Sequence, residues 1–172
     1  MKSLFYNCAV TALAAAFAWT GVANQGSDRC ENVEFEGVAE LGFIEVEPGV
    51  FVLGALPTPV TVAGVPGLMS SFITAVRSSG AKGQGAQHYS LVHTFVSTDP
   101  ERPGGFSTED RAVAAPAGKD PNVSIINDVL TIVSGEGVFQ NATGFLMNHA
   151  IVDLTEFTLT FSTHGRICGD GL

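Results

Sequence analysis

Along most of this chain apolar and polar residues alternate with a period of two, the signature of strands with one face turned to a core. Val33 to Val38 and Phe43 to Val46 exchange apolar residues with glutamates, which predicts two half-buried strands. Val50 to Leu53 continues the pattern into a connection at Pro57 and Pro59, because proline withholds the N–H that a central strand needs. Met69 to Val76 is apolar and β-branched and predicts a further strand, followed by the turn-rich Ser78 to Gly85. Gln87 to Ser97 is the clearest strand of the middle. The prolines and glycines of Asp99 to Gly105 mark a loop, Phe106 to Val113 returns to strand, and Ala114 to Asn122 is an exposed connection. Val129 to Val133, Gly144 to Val152 and Phe157 to Arg166 complete the series as successive antiparallel strands. Gly135, Gly137 and Gly144 between them provide positive φ or close backbone approach at turns and bulges.

The count is about eight short strands. Nowhere does a long apolar period of 3.6 residues argue for a helix, so the chain is all-β. A single closed antiparallel barrel is preferred over a sandwich, because consecutive hairpin-like connections and a bridge between the chain ends would leave no free edge.

The first residues bear on compartment. Lys2, the apolar run Ala9 to Trp19 and Gly21-Val22-Ala23 predict a signal peptide over residues 1–23 rather than an anchor, with cleavage before Asn24 and the barrel domain over 24–172. The apolar run is too short for a comfortable transmembrane span, and Cys8 lacks the small residues that precede a lipidated cysteine. The mature chain then keeps Cys30 and Cys168, and an exported protein with an even cysteine count predicts a disulfide, the alternative being two free thiols. The expected location is the periplasm or the extracellular space.

The formal net charge is -9, and loss of Lys2 makes the mature chain more acidic still. No cluster of Lys or Arg is present to neutralise phosphates, which argues against nucleic acid and anionic membrane surfaces as partners. Glu31, Glu34, Glu36, Glu40, Glu45 and Glu47 crowd the mature start without the spacing of a calcium loop and read as a solvated strand face.

Candidate chemistry rests on a few side chains. Tyr89, Leu91, His93 and Phe95 share one strand face, so an imidazole and a phenol project among apolar residues, where they could orient a ligand oxygen or move a proton. The alternative is a core His and Tyr satisfied by backbone partners. By the same alternation Phe145, Met147, His149 and Ile151 form a second candidate cavity face, although a register slip of one would turn it outward. Asp110 and Arg111 point to opposite faces, so one of them enters the cavity or meets a charge on another strand, unless both serve ion pairs at the rim; Arg111 is taken as the ligand-facing candidate. His164 falls on a more polar face and is expected outside. No H-x-H, H-E-x-x-H or C-x-x-C spacing predicts a metal site, and Gly135-Glu-Gly137 precedes strand signal rather than the helix of a phosphate-binding loop, so neither metal nor nucleotide cofactor is expected. Asn122-Val-Ser and Asn141-Ala-Thr match the glycosylation sequon.

Phe106-Ser-Thr-Glu-Asp-Arg-Ala-Val113, the glycine-rich run from Leu130 to Gly144, and His164-Gly-Arg-Ile-Cys168 resemble the allene oxide cyclase-like barrel superfamily, which includes dirigent proteins. The resemblance covers the last hundred or so residues and is nearest to small exported members without an assigned activity. It implies an eight-stranded antiparallel barrel, often trimeric, whose cavity holds an apolar substrate while it cyclises or couples. The leading expectation is therefore an apolar small molecule isomerised or cyclised by confinement, with Tyr89 and His93 as catalytic groups and Phe95, Arg111, Met147 and His149 as ligand contacts. Its rivals are a non-catalytic dirigent-like binding barrel and a structural protein with a filled core. A cavity of roughly 300 Å³ or more separates the first two from the third.

Overall fold

The computed structural model describes residues 29–78 and 86–172, within which every regular element is a strand and no helix occurs. The expected signal peptide over 1–23, with Cys8 and Trp19, lies outside the described residues, as does most of the expected turn between Ser78 and Gly85. Eight strands follow one another: β1 (Arg29–Glu47), β2 (Val50–Val62), β3 (Val65–Ser78), β4 (Gln87–Ser97), β5 (Gly104–Pro116), β6 (Val123–Gly137), β7 (Thr143–Asp153) and β8 (Thr158–Gly169). Each pairs antiparallel with the next, and β8 pairs with β1 to close the barrel, so the expected architecture is the observed one.

Closure works because β1 serves two partners. Its residues 41–47 pair with β2, while residues 29–40 run alongside β8. Two separate strands were expected here, over Val33 to Val38 and Phe43 to Val46, where one continuous strand is found with Gly37 and Gly42 inside it. Both glycines instead make room: a Cβ on Gly37 would press into the Phe161 ring at 2.9 Å, and one on Gly42 would meet Leu56 at 2.9 Å. The exposed glutamates of β1 form the solvated outer face that the alternation predicts. β2 likewise runs through the proline-rich connection expected at Pro57 and Pro59. Beyond Ala55 it has no β1 partner, and a register shift between Ala55 and Thr58 absorbs Pro57, so proline costs no ladder bond there.

Cys30 and Cys168 are directly paired across β1 and β8 and joined by a disulfide with a Cα–Cα distance of 3.9 Å. The bridge sits at the end of the barrel that is filled. Phe95, Phe106 and Phe139 meet there with ring centroids 5.2 to 5.3 Å apart, backed by Val62, Val65, Leu130, Leu146 and Ile167. Each such aromatic pair adds about 0.5–1.5 kcal/mol beyond the burial of its area. The glycine-rich segment that stands out in the sequence serves this plug. Gly137 (φ 60) and Gly144 (φ 137) flank a tight connection that turns Phe139 back into the barrel end, where it is fully buried. Aromatic residues thus stop one end of the lumen, and the other half is left hollow.

Candidate functional site

The hollow half forms a chamber of about 360 Å³. Leu41, Leu53, Ile73, Leu91, Ile126 and Leu159 supply its apolar walls, with Tyr89, Gln87, Ser71 and Ser124 as polar points. Pro121 and Leu154, from the connections after β5 and β7, bring it to the loop end of the barrel. A smaller cavity of about 40 Å³ lies deeper and shares Ala55, Ser71 and Leu159 with the chamber. His93, Asn148 and Thr163 line this inner cavity among Phe35, Met69, Leu130 and Phe161. Together they make a blind barrel with an apolar vestibule and a partly polar floor, the size class of a small-molecule site.

His93 is fixed from two sides. Its backbone N–H donates to Thr108 Oγ1 at 3.0 Å, and its Nδ1 lies 2.7 Å from Asp110 Oδ2. Thr108 and Asp110 point inward from β5, next to a shift at Ser107/Thr108 in its register with β6. Asp110 has no exposed side-chain surface, whereas the His93 side chain keeps 14% and reaches the inner cavity. Asp128 joins from β6, buried, one step along from Asp110 because Ala112 pairs with Asp128. Desolvation pushes its carboxyl up to about 6, with Asp110 pushing the same way, against the pull of His93 and of the Val129 backbone N–H. Oδ1 of Asp110 and Oδ1 of Asp128 are buried without a hydrogen-bond partner. Two unpartnered carboxylate oxygens in a low dielectric are costly, and a proton on Asp128 relieves part of that cost.

Donor atoms of His93, Asp110 and Asp128 all lie within 4.8 Å of one another, close enough to ask whether they hold a divalent cation. Sequence spacing does not reveal this donor set, because it is assembled across three strands. Within the group Nδ1 of His93 and Oδ2 of Asp110 are hydrogen-bonded to each other.

The other expected site residues divide. Tyr89 does line the chamber; its hydroxyl donates to Gln87 Oε1, and burial raises its pKa so that the phenol stays neutral. Phe95 faces inward but lies wholly in the plug and contacts neither cavity. Met147 and His149 are a correction: both are exposed on the outer face of β7, where His149 Nδ1 meets Asn127 Oδ1 at 2.9 Å. The inward face of that strand is Leu146, Asn148, Ala150 and Val152. Arg111 is likewise exposed outside, and its neighbour Asp110 is the member of the pair that enters. Asp128, Asn148 and Thr163 went unnoticed in the sequence. Asp128 sits between Asn127 and Val129 with no local motif, and only its neighbours across the sheet make it unusual.

The fold and site define a closed eight-stranded barrel with a ligand-sized lumen and, beneath it, a partly exposed His93 backed by two buried aspartates. The pterocarpan synthase dirigent protein GePTS1 aligns with 96% of this chain and 99% of its own at 16% identity and a TM-score of 0.49. The pterocarpan synthase dirigent protein PsPTS1 aligns with 82% of this chain and 96% of its own at 16% identity and a TM-score of 0.48. No protein-family model matches the chain, and no curated protein sequence does.

Proposed function

We propose that this barrel takes an apolar small molecule into its chamber and promotes its isomerisation or cyclisation there, with His93 as the proton-handling group. The observation that carries the reading is the position of His93. It lines the inner cavity of about 40 Å³, which shares Ala55, Ser71 and Leu159 with the chamber of about 360 Å³, while its Nδ1 holds a buried carboxylate at 2.7 Å. In that arrangement Nε2 takes a proton from one ligand atom and returns it to another. Asp110 orients the ring and balances the charge it gains, so no proton or electron is consumed overall. Confinement supplies the rest, since holding a flexible ligand near its reactive geometry lowers the barrier by several kcal/mol. A chamber of this volume argues against a structural barrel with a filled core, whose criterion was a packed interior.

Export belongs to the same proposal: the Cys30–Cys168 disulfide suits an oxidising compartment, in line with the sequence features of residues 1–23. A homo-oligomer is supported by the outward apolar stripe of Val129, Phe145, Met147 and Ile151 on β6 and β7, which sedimentation would test.

The test of turnover uses 2-tetralone in deuterated buffer. The wild-type protein should speed exchange of its α-hydrogens by about 100-fold over buffer, and His93→Gln should return it to background. Binding of 2-tetralone without faster exchange would make the protein a non-catalytic binding barrel.

A further inference from the structure

The inner cavity carries information about the ligand that the apolar vestibule does not. At about 40 Å³ it holds one or two non-hydrogen atoms, since a water's share of the liquid is about 30 Å³. Polar side chains on its wall have hydrogen-bonding capacity left over. Thr163, buried on β8, is paired with Asn148 across β7–β8, and its hydroxyl donates to Asn148 Oδ1 at 2.9 Å. That bond uses the amide oxygen and leaves both N–H groups of Nδ2 for a guest. His93 spends Nδ1 on Asp110 and keeps Nε2. Ser71, buried on β3, borders both cavities, and its hydroxyl makes no hydrogen bond to another described residue.

Charge narrows the choice further. Asp110 and Asp128 lie behind His93, and among the described residues no lysine or arginine lines either cavity. An anionic head group would meet two carboxylates behind His93, one of which already claims the imidazole, and find no lysine or arginine to compensate, so a carboxylate-bearing ligand is disfavoured.

We infer that the ligand is a neutral, otherwise apolar carbonyl compound that enters oxygen first, its carbonyl accepting from the Asn148 amide on the floor while its hydrocarbon body fills the chamber. The inference rests on the proposed binding role of the chamber and adds the chemical class that the floor selects. Asn148 is here a specificity residue, and Thr163 is the positioning residue that holds its amide the right way round.

Three probes of one shape test it by calorimetry at pH 7.5: 2-acetylnaphthalene, 2-ethylnaphthalene and 2-naphthoate. The ketone should bind at least about tenfold more tightly than either of the others, the worth of one well-made hydrogen bond in a dry site. Asn148→Ala should bring the ketone down to the level of the ethyl compound and leave the ethyl compound unchanged. Thr163→Val should weaken the ketone in the same selective way, and it serves alone if the Asn148 variant does not fold. With the carbonyl carbon labelled, the bound ketone's C=O stretch should fall in frequency on the wild type and recover in both variants. Equal affinities for ketone and ethyl compound, or tighter binding of the naphthoate, overturn the carbonyl assignment and leave the chamber a binding site. If none of the three binds, the small-molecule reading of the chamber falls, and this inference falls with it.

Discussion

His93 and Asp110 stand seventeen residues apart in sequence, yet an imidazole nitrogen and a carboxylate oxygen meet at 2.7 Å on the inner wall of the barrel. The contact spans β4 and β5, whose register places Leu91 opposite Asp110 and Thr94 opposite Ser107, so His93 and Asp110 are diagonal neighbours on one face. The carboxylate is sealed from solvent and the imidazole is not, which makes Asp110 the fixed partner and His93 the group that a ligand can reach.

Asp110→Asn should therefore separate positioning from charge. The amide oxygen still accepts from the ring, but it cannot balance a positive imidazole. The rate of 2-tetralone exchange is expected to drop by about 100-fold, while ketone affinity changes less than about threefold. Conservative changes at Val92 and Thr94, which alternation sends to the opposite face, should leave both quantities as they are. Losses confined to Val92 or Thr94 would mean that the strand faces the other way.

The raised carboxyl of Asp128 makes a prediction about pH. Its pKa moves from 3.8 to about 6 on folding, so between those values the native state holds a proton that the unfolded chain has released. Stability therefore falls as pH rises through that window and levels off above it, by about 3 kcal/mol in all. Denaturant titrations from pH 3.5 to 7.5 should show this slope, and Asp128→Asn should remove it and be the more stable protein at pH 7.5. A flat wild-type profile would mean that Asp128 is not strained.

What the chain discloses follows from where its signal is local. Alternation within each strand is local, and it yields the all-β barrel, the inward face of β4 and the solvated glutamates of β1. β7 defeats it because both of its faces are apolar: Phe145, Met147 and Ile151 look outward, and Leu146, Ala150 and Val152 look inward, so a one-residue choice of face has no hydrophobic contrast to decide it. Arg111 and Asp110 pose the same choice in charged form. Burial settles it for the shorter side chain because Asp110 has His93 to receive it, a fact that resides on another strand. Asp128, Asn148 and Thr163 matter only through partners across the sheet.

Disulfide reduction should destabilise the barrel without opening its core. The bridge closes a loop of 138 residues, and the entropic model assigns such a closure about 5 kcal/mol. Thiol labelling of denatured, unreduced protein should find neither Cys30 nor Cys168, and a Cys30→Ser/Cys168→Ser protein should unfold at lower denaturant with an unchanged far-ultraviolet spectrum. Two labelled thiols per chain would remove the bridge from the fold.

Chelation is expected to leave the protein unchanged, because His93 and Asp110 already satisfy each other. Overnight dialysis against EDTA should alter neither melting temperature nor exchange of 2-tetralone. Added zinc binding at one equivalent per chain, with a rise of several degrees in melting temperature, would reassign the His93, Asp110 and Asp128 group to a metal.

Filling the chamber should abolish binding without harming the fold. Ala112 is buried on β5, lines the chamber, and lies level with Tyr89 on one side and Asp128 on the other. A phenylalanine there projects into space that the native protein leaves open, so Ala112→Phe should melt at the same temperature or higher, a gain of up to about 2 kcal/mol as cavity filling commonly gives. The fluorescent apolar probe N-phenyl-1-naphthylamine should lose at least about tenfold in affinity. Val113→Phe places the same aromatic ring one residue along, on the outer face, and is the control for added apolar surface. If Ala112→Phe binds the probe as the wild type does while Val113→Phe does not, the probe sits on the exposed apolar exterior, and the lumen is not where this protein meets its ligand.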